Sequence, residues 1–308
     1  MHRLIETNTR KFALTGSSAR KLKHGVSNLL AGRAFVNHLY PLTSFELGDR
    51  FNLIEVLRFG ALPKVFAFDD EREKEELLRA YSFTYLKEEI ATEQVVRKLD
   101  PFRNFLEIAA QQNGLILNFS SIARDIGVDT KTVQSYFQIL EDTLVGFMLP
   151  AFHRSIRKRQ IAHPKFYFFD LGVKRALERT VNQPMFERNF AFGNAFEHFV
   201  ILELIRLSDY LRTDWRFSYL RTKDDAEVDL VIDRPGAPTA LIEIKSTDSV
   251  NEADCASLNR FIQDIIPSEA FCVSRTTARK KIGKVLCIHW SELFKELGLM
   301  VELKTKND

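Results

Sequence analysis

The sequence predicts an α/β protein in three parts: a short α/β stretch, a helical middle, and a mixed sheet flanked by helices. Three observations carry this. The chain has 308 residues, more than one ordinary domain needs. From about residue 70 to 150, apolar residues recur every three or four positions, the period of helices packed by one face. Beyond residue 165 they alternate or run in short blocks, as strands do. Hydrophobic residues at 45% and charged residues at 28% exclude a largely disordered chain.

In the first part, residues 1–68, Phe12-Ala13-Leu14 reads as a short strand. Thr15-Gly16-Ser17-Ser18 is a polar turn before a helix near Ala19, and Ala34-Phe35-Val36 a second strand. Gly60-Ala61-Leu62-Pro63 reads as a turn. So short a stretch cannot close a sheet covered on both faces, and it reads as the tail of a larger domain.

The second part, residues 69–164, is helical. Leu77, Leu78, Tyr81, Tyr85 and Leu86 line one side of a charged helix from Glu71 to Ile90, and Phe102 to Ala110 repeats the pattern. Phe119 to Leu140 has helix-turn-helix spacing, with Ala123 at the helix contact and Gly127 at a left-handed turn. Ile122, Ile126, Val128, Val133 and Tyr136 face the shared core. That leaves Lys131, Thr132, Gln134 and Ser135 to meet a DNA groove. Arg154, Arg157, Lys158 and Arg159, with Lys165 beyond, would contact phosphates. Asp125, Asp129, Glu141 and Asp142 surround the single lysine of the second helix. A packing module inside a larger assembly accounts for this segment equally well.

The third part, residues 165–308, has the order α-β-β-β-α-β-β-α. Its helix runs from Phe192 to Leu207, and its strands cover Trp215 to Leu220, Glu227 to Ile232 and Ala240 to Ser246. A helix over Glu252 to Ile262, strands at Phe271 to Ser274 and Val285 to His289, and a last helix from Ser291 complete it. Here lie the residues with chemistry. Glu243 and Lys245 are two apart on a strand, so both leave one face. Asp229 interrupts an apolar run on the adjoining strand. Two carboxylates on adjacent strands can hold one Mg²⁺ or Mn²⁺, which would polarise a phosphate and acidify a bound water. Lys245 would offset developing negative charge, and Glu197 on the preceding helix would complete the outer shell.

Glu197, Asp229 and Glu243-Ile244-Lys245 in this element order resemble the PD-(D/E)XK nuclease core, with Val228 in place of the usual proline. The resemblance implies catalytic roles for Glu197, Asp229, Glu243 and Lys245, with Asp229 and Glu243 on the metal. The whole chain is similar to a prokaryotic family of predicted AAA+ ATPases. Those proteins carry a winged-helix region and a C-terminal nuclease-like domain of unknown function. Thr15-Gly16-Ser17-Ser18, Gly60-Ala61-Leu62-Pro63, Gly193-Asn194-Ala195-Phe196-Glu197 and Arg221 carry that likeness. It implies a partial AAA+ remnant in residues 1–68, with Thr15 and Ser17 as nucleotide-sensing residues. No G-x-x-x-x-G-K-[ST] occurs among the 13 glycines, so ATP binding is expected only if a missing N-terminal half is supplied. The chain is then either a truncated member or a degenerate, ATPase-dead relative. The functional expectation is a nucleic-acid-associated module with a metal-dependent nuclease-like domain. Its competitor is a non-catalytic protein whose nuclease-like fold docks a partner.

Other features narrow the class. A net charge of +3 is too small to establish a DNA partner by itself. Three cysteines, Cys255, Cys272 and Cys287, form no C-x-x-C pair, which argues for a reducing, cytoplasmic setting. The longest apolar stretch, Leu144 to Phe152, is broken by Gly146 and Pro150, so no membrane span is expected. His198 reads as a packing residue, Arg275 to Lys284 as a basic loop, and the 26 phenylalanines, including Phe186 to Phe199, as core.

Overall fold

The computed structural model describes Ala13 and residues 35–85, 99–153, 163–222 and 226–299. Several helices begin where a side chain can accept the first free N–H groups. Thr43 and Glu46 form a reciprocal capping box at α1 (Ser44–Leu47), and Asn52 caps α2 (Leu53–Phe59). Asp70 caps α3 (Glu71–Ala80), which runs into a π turn at Tyr81–Tyr85. Helix α4 (Leu99–Gln111) is followed by α5 (Phe119–Ile126), capped by Asn118, and α6 (Thr130–Asp142), capped by Asp129. Gly127 sits between them at φ 71, ψ 38, the left-handed turn expected there.

Strands β1 (Gly146–Leu149) and β2 (Lys165–Phe168) form an antiparallel hairpin, and Ile116 bridges Lys165 on the far side of β2. Helix, bridge, helix-turn-helix and hairpin together make a winged helix. Ile122, Val133 and Tyr136 are buried as expected, among Phe102, Phe105, Phe137, Phe166 and Phe168. Helix α7 (Leu171–Leu177) closes this core against α2, α3 and α4.

The second unit is built on α8 (Phe190–Tyr210) and a six-stranded sheet. Its strands are β3 (Arg216–Arg221), β4 (Glu227–Asp233), β5 (Thr239–Ile244), β6 (Ser268–Ser274), β7 (Lys280–Ile282) and β8 (Val285–His289). They lie in the order β3-β4-β5-β6-β8-β7, antiparallel at both ends and parallel across β5, β6 and β8. Leu230, Ile232, Ile242 and Val273 face α8 and α10 (Glu292–Glu296), while Val231, Leu241 and Cys272 face α9 (Ala256–Asp264). The mixed sheet flanked by helices is therefore the observed architecture.

Three local expectations change. Phe35 and Val36 form no strand: no described segment pairs with them, and they are 85% and 78% exposed. The basic loop contains edge strand β7, where Arg279 pairs with Glu292 and Glu296 and the Lys280 ammonium donates to the Val250 carbonyl. Phe192, Phe196 and Phe199 fill the core, but Phe186 and Phe190 are 64% and 78% exposed.

Candidate functional site

The site forms where the ladder between β4 and β5 ends. Ser218 pairs with Val231 and Leu220 with Val228, so β4 holds one residue more than β3 over this interval. Asp229 lies in that bulge, a device that re-aims side chains beside functional sites. The β4–β5 pairing stops at Leu230 and Ile242. Beyond it, Asp229 Oδ2 accepts the Ile244 N–H at 2.7 Å, replacing a ladder acceptor with a carboxylate. The alternation of β5 buries Ile242 and Ile244 against α8 and sends Glu243 the other way. Lys245, one residue past the strand, donates from Nζ to Glu243 Oε1 at 2.6 Å. Glu243 Oε2 is buried and has no hydrogen-bond partner.

Glu197 approaches from α8. Its Oε1 accepts the Tyr167 hydroxyl at 2.7 Å and lies 3.6 Å from the Lys165 ammonium, which contacts Glu227 at 2.6 Å. Lys165 is only 4% exposed, so its expected role as a surface phosphate contact is corrected. It belongs to the carboxylate cluster. Tyr167 and Glu227 are likewise part of the site and were not singled out by the sequence. Lys245, Glu227 and Glu197 have side chains 34%, 30% and 21% exposed and form its mouth.

The electrostatics are lopsided. Glu197, Glu227, Asp229 and Glu243 supply four carboxyls against the ammoniums of Lys165 and Lys245, leaving two excess negative charges if all ionise. Burial, then the charges of Glu243 and Glu197, raise Asp229 well above the usual carboxylate range. Burial also raises Glu243, with the Lys245 ammonium opposing it. Lys245 is raised because the fields of Glu243 and Asp229 outweigh its desolvation, and Lys165 is raised to about 12 by Glu197 and Glu227 despite burial. Both ammoniums are charged.

Asp229 and Glu243 are the residues that could hold the expected Mg²⁺ or Mn²⁺: Glu243 has an unpartnered buried oxygen, and its carboxylate is among the groups that raise Asp229. No group of three or more His, Cys, Asp or Glu at metal-ligand spacing occurs among the described residues. Glu197 is held back by Tyr167 and Lys165. Two carboxylates suffice for Mg²⁺, which keeps several waters and takes further oxygens from phosphate.

Lys131, Gln134 and Ser135 are exposed on α6 and Thr132 is half-buried, with its hydroxyl donated to the capping Asp129 at 2.7 Å. Thr15, Ser17, Arg154, Arg157, Lys158 and Arg159 lie outside the described residues. His198 is fully buried and structural: its Nε2 meets the Phe168 carbonyl at 2.7 Å and its Nδ1 the Asn113 amide at 3.3 Å.

Residues 50–183 match the profile of a domain of unknown function (DUF8612), and residues 192–293 that of another (DUF4143). The first match ends in the loop before α8, and the second begins in the first turn of that helix. An uncharacterized protein of Mycobacterium tuberculosis is 30% identical over 78% of this chain and 53% of its own length. One from Methanocaldococcus jannaschii is 21% identical over 82% of this chain and 59% of its own. One from Haemophilus influenzae is 22% identical over 63% and 50%. The chain thus spans about half the length of the curated relatives it matches. No solved structure matches it significantly. No described helix is long and apolar enough to cross a membrane.

Proposed function

We propose that the C-terminal unit is a metal-dependent phosphodiesterase acting on nucleic acid, beside a winged helix that holds the substrate. The observation that carries this is the unpartnered Glu243 oxygen beside Asp229, in a cluster of four carboxyls against two ammoniums. A buried carboxylate oxygen without a donor is costly unless a cation completes it. Asp229 and Glu243 would hold Mg²⁺ or Mn²⁺, which when bound supplies Lewis-acid polarisation of phosphate and a more acidic water. Lys245 keeps one N–H on Glu243 and, at 34% exposure, can turn another toward a phosphate oxygen as charge develops. Tyr167 and Lys165 fix Glu197 at the mouth, where its carboxylate orients water.

The basic run Arg154 to Arg159 lies between β1 and β2 in sequence, the wing position, which supports backbone binding there. The extra length of the relatives accommodates the ATPase half that the resemblance implies. ATP would act only through that half. Cytoplasmic placement follows from the same reading.

One observation favours the competing docking role: Lys245 and Lys165 already neutralise part of the cluster, as in a structural network. Cleavage decides. Full-length chain incubated with labelled single- and double-stranded DNA and RNA in Mn²⁺ should cut at least one of them. Lys245→Ala and Glu243→Gln should each lower the rate by roughly 10²-fold or more. No cleavage, or cleavage indifferent to both changes, would leave the docking role.

A further inference from the structure

The residues around Glu197 do not all come from the unit that carries it. Strand β2 belongs to the winged helix: it pairs with β1, bridges Ile116, and accepts the Gly114 N–H on the Phe166 carbonyl at 2.8 Å. Its two faces point into different units. Phe166 and Phe168 pack in the helical core, whereas Tyr167 packs with α8 and Lys165 meets Glu197 and Glu227. Both faces are shut from water, with all four residues of the strand buried. Phe169, next along, has its carbonyl bonded by Arg206 of α8 at 2.7 Å. Strand and helix are therefore locked in one register.

We infer that the site is shared between the two units, with Lys165 and Tyr167 as positioning residues, and that the Lys165 ammonium takes the place of a second divalent cation. The inference rests on the metal reading above and adds its stoichiometry. Lys165 Nζ lies 2.6 Å from Glu227 and 3.6 Å from Glu197, bridging two carboxylates as a metal would. The Tyr219 ring, 5.4 Å away, covers its far side. With Lys165 lodged between Glu197 and Glu227, the Asp229–Glu243 pair, with its unpartnered Glu243 oxygen, is what remains for a divalent ion. A tethered cation cannot diffuse away. Glu197 and Glu227 then stay in place whether or not metal is bound.

Two readouts on the full-length chain test this. Calorimetric titration with Mn²⁺ should give one ion per chain for the unaltered protein and for Lys165→Arg, and two for Lys165→Met. A single ion bound with unchanged affinity by Lys165→Met would overturn the inference. Thermal unfolding in chelator needs no metal, so it separates this inference from the metal reading. There Lys165→Met should lower the melting temperature by roughly 5 °C or more, since it buries a thioether against two half-buried carboxylates left without their cation. Glu227→Gln in the same chain should restore most of that loss. An equal loss from Lys165→Met with or without Glu227→Gln would mean that the ammonium only fills space, and would sink the shared site. No Mn²⁺ binding by the unaltered chain, with restoration by Glu227→Gln intact, would reject the metal reading and the one-ion stoichiometry but keep Lys165 as a positioning residue.

Discussion

Two buried charge clusters hang on α8 six residues apart, and they are finished differently. Around Glu203, every carboxylate is answered. Glu203 accepts the Ser44 N–H at 2.8 Å and its hydroxyl at 2.5 Å, and Arg206 lies 3.7 Å from its other oxygen. Asp170 accepts the Ala61 N–H at 2.7 Å and the Val173 N–H at 3.0 Å, one on each oxygen. The approach is so close that a Cβ on Gly172 would stand 2.1 Å from the Phe59 carbonyl. Around Glu197, by contrast, Glu243 keeps an unanswered oxygen and carboxylates raise one another. Burial raises Asp170 and Glu203 too, but for Asp170 everything else lowers it. The first cluster clamps residues 42–61 and α7 to α8. The second leaves a buried carboxylate oxygen without a donor, whereas the unpartnered atom in the first is Arg206 Nε.

Breaking the closed cluster should have the largest effect. Arg206→Met strands Glu203 and should cost about 3–5 kcal/mol in urea unfolding, with no rescue by divalent ions. A loss under 1 kcal/mol would mean that the junction is ornamental.

A second effect comes from His198, which joins α8 to β2. Burial lowers its pKa from 6.5 to about 3, with the Phe168 carbonyl opposing. Because the folded value lies below the unfolded one, its contribution is full above pH 6.5 and falls as pH drops from there toward 3. The loss between pH 7 and pH 5 should be about 2 kcal/mol. Urea titrations at both pH values should show that loss in the unaltered chain and its absence in His198→Gln. An equal loss in both would assign it to other groups.

The smallest stability effects contrast the two clusters most sharply. In metal-free buffer, Asp229→Asn should raise stability by about 1 kcal/mol, since it removes repulsion while an amide oxygen can still meet the Ile244 N–H. Asp170→Asn should lower it by about 1–2 kcal/mol, because the two N–H groups bond different oxygens and the amide NH₂ would replace one of them. The same sign for both would erase the distinction. On the winged helix, changing Arg157, Lys158 and Arg159 to Ala should weaken DNA binding by roughly tenfold at low salt and flatten its salt dependence. Unchanged gel-shift titrations would remove the wing from the interface.

Much of this was legible in the sequence where one period suffices. The Gly127 turn, the apolar face of α5 and α6, and the pairing of Glu243 with Lys245 follow from local spacing. The Thr43-x-x-Glu46 capping box could also have been read. Lys165 and Tyr167 could not. Lys165 to Phe168 is buried on both faces, so it shows no polar alternation, and its partners Glu197 and Glu227 lie far along the chain. The bulge that aims Asp229 was hidden as well, because Glu227 to Asp233 reads as an ordinary strand until its pairing with β3 is seen. Phe35 and Val36 failed as a strand because apolarity alone supplies no partner edge.

If the second cluster holds a divalent cation, Mn²⁺ must stabilise the full-length chain through Asp229 and Glu243. The melting temperature should rise by several degrees at saturating Mn²⁺, a rise kept in an Asp170→Asn variant and abolished in Asp229→Asn and Glu243→Gln. A melting temperature indifferent to Mn²⁺ and Mg²⁺, or a rise that survives both changes at the site, would contradict it.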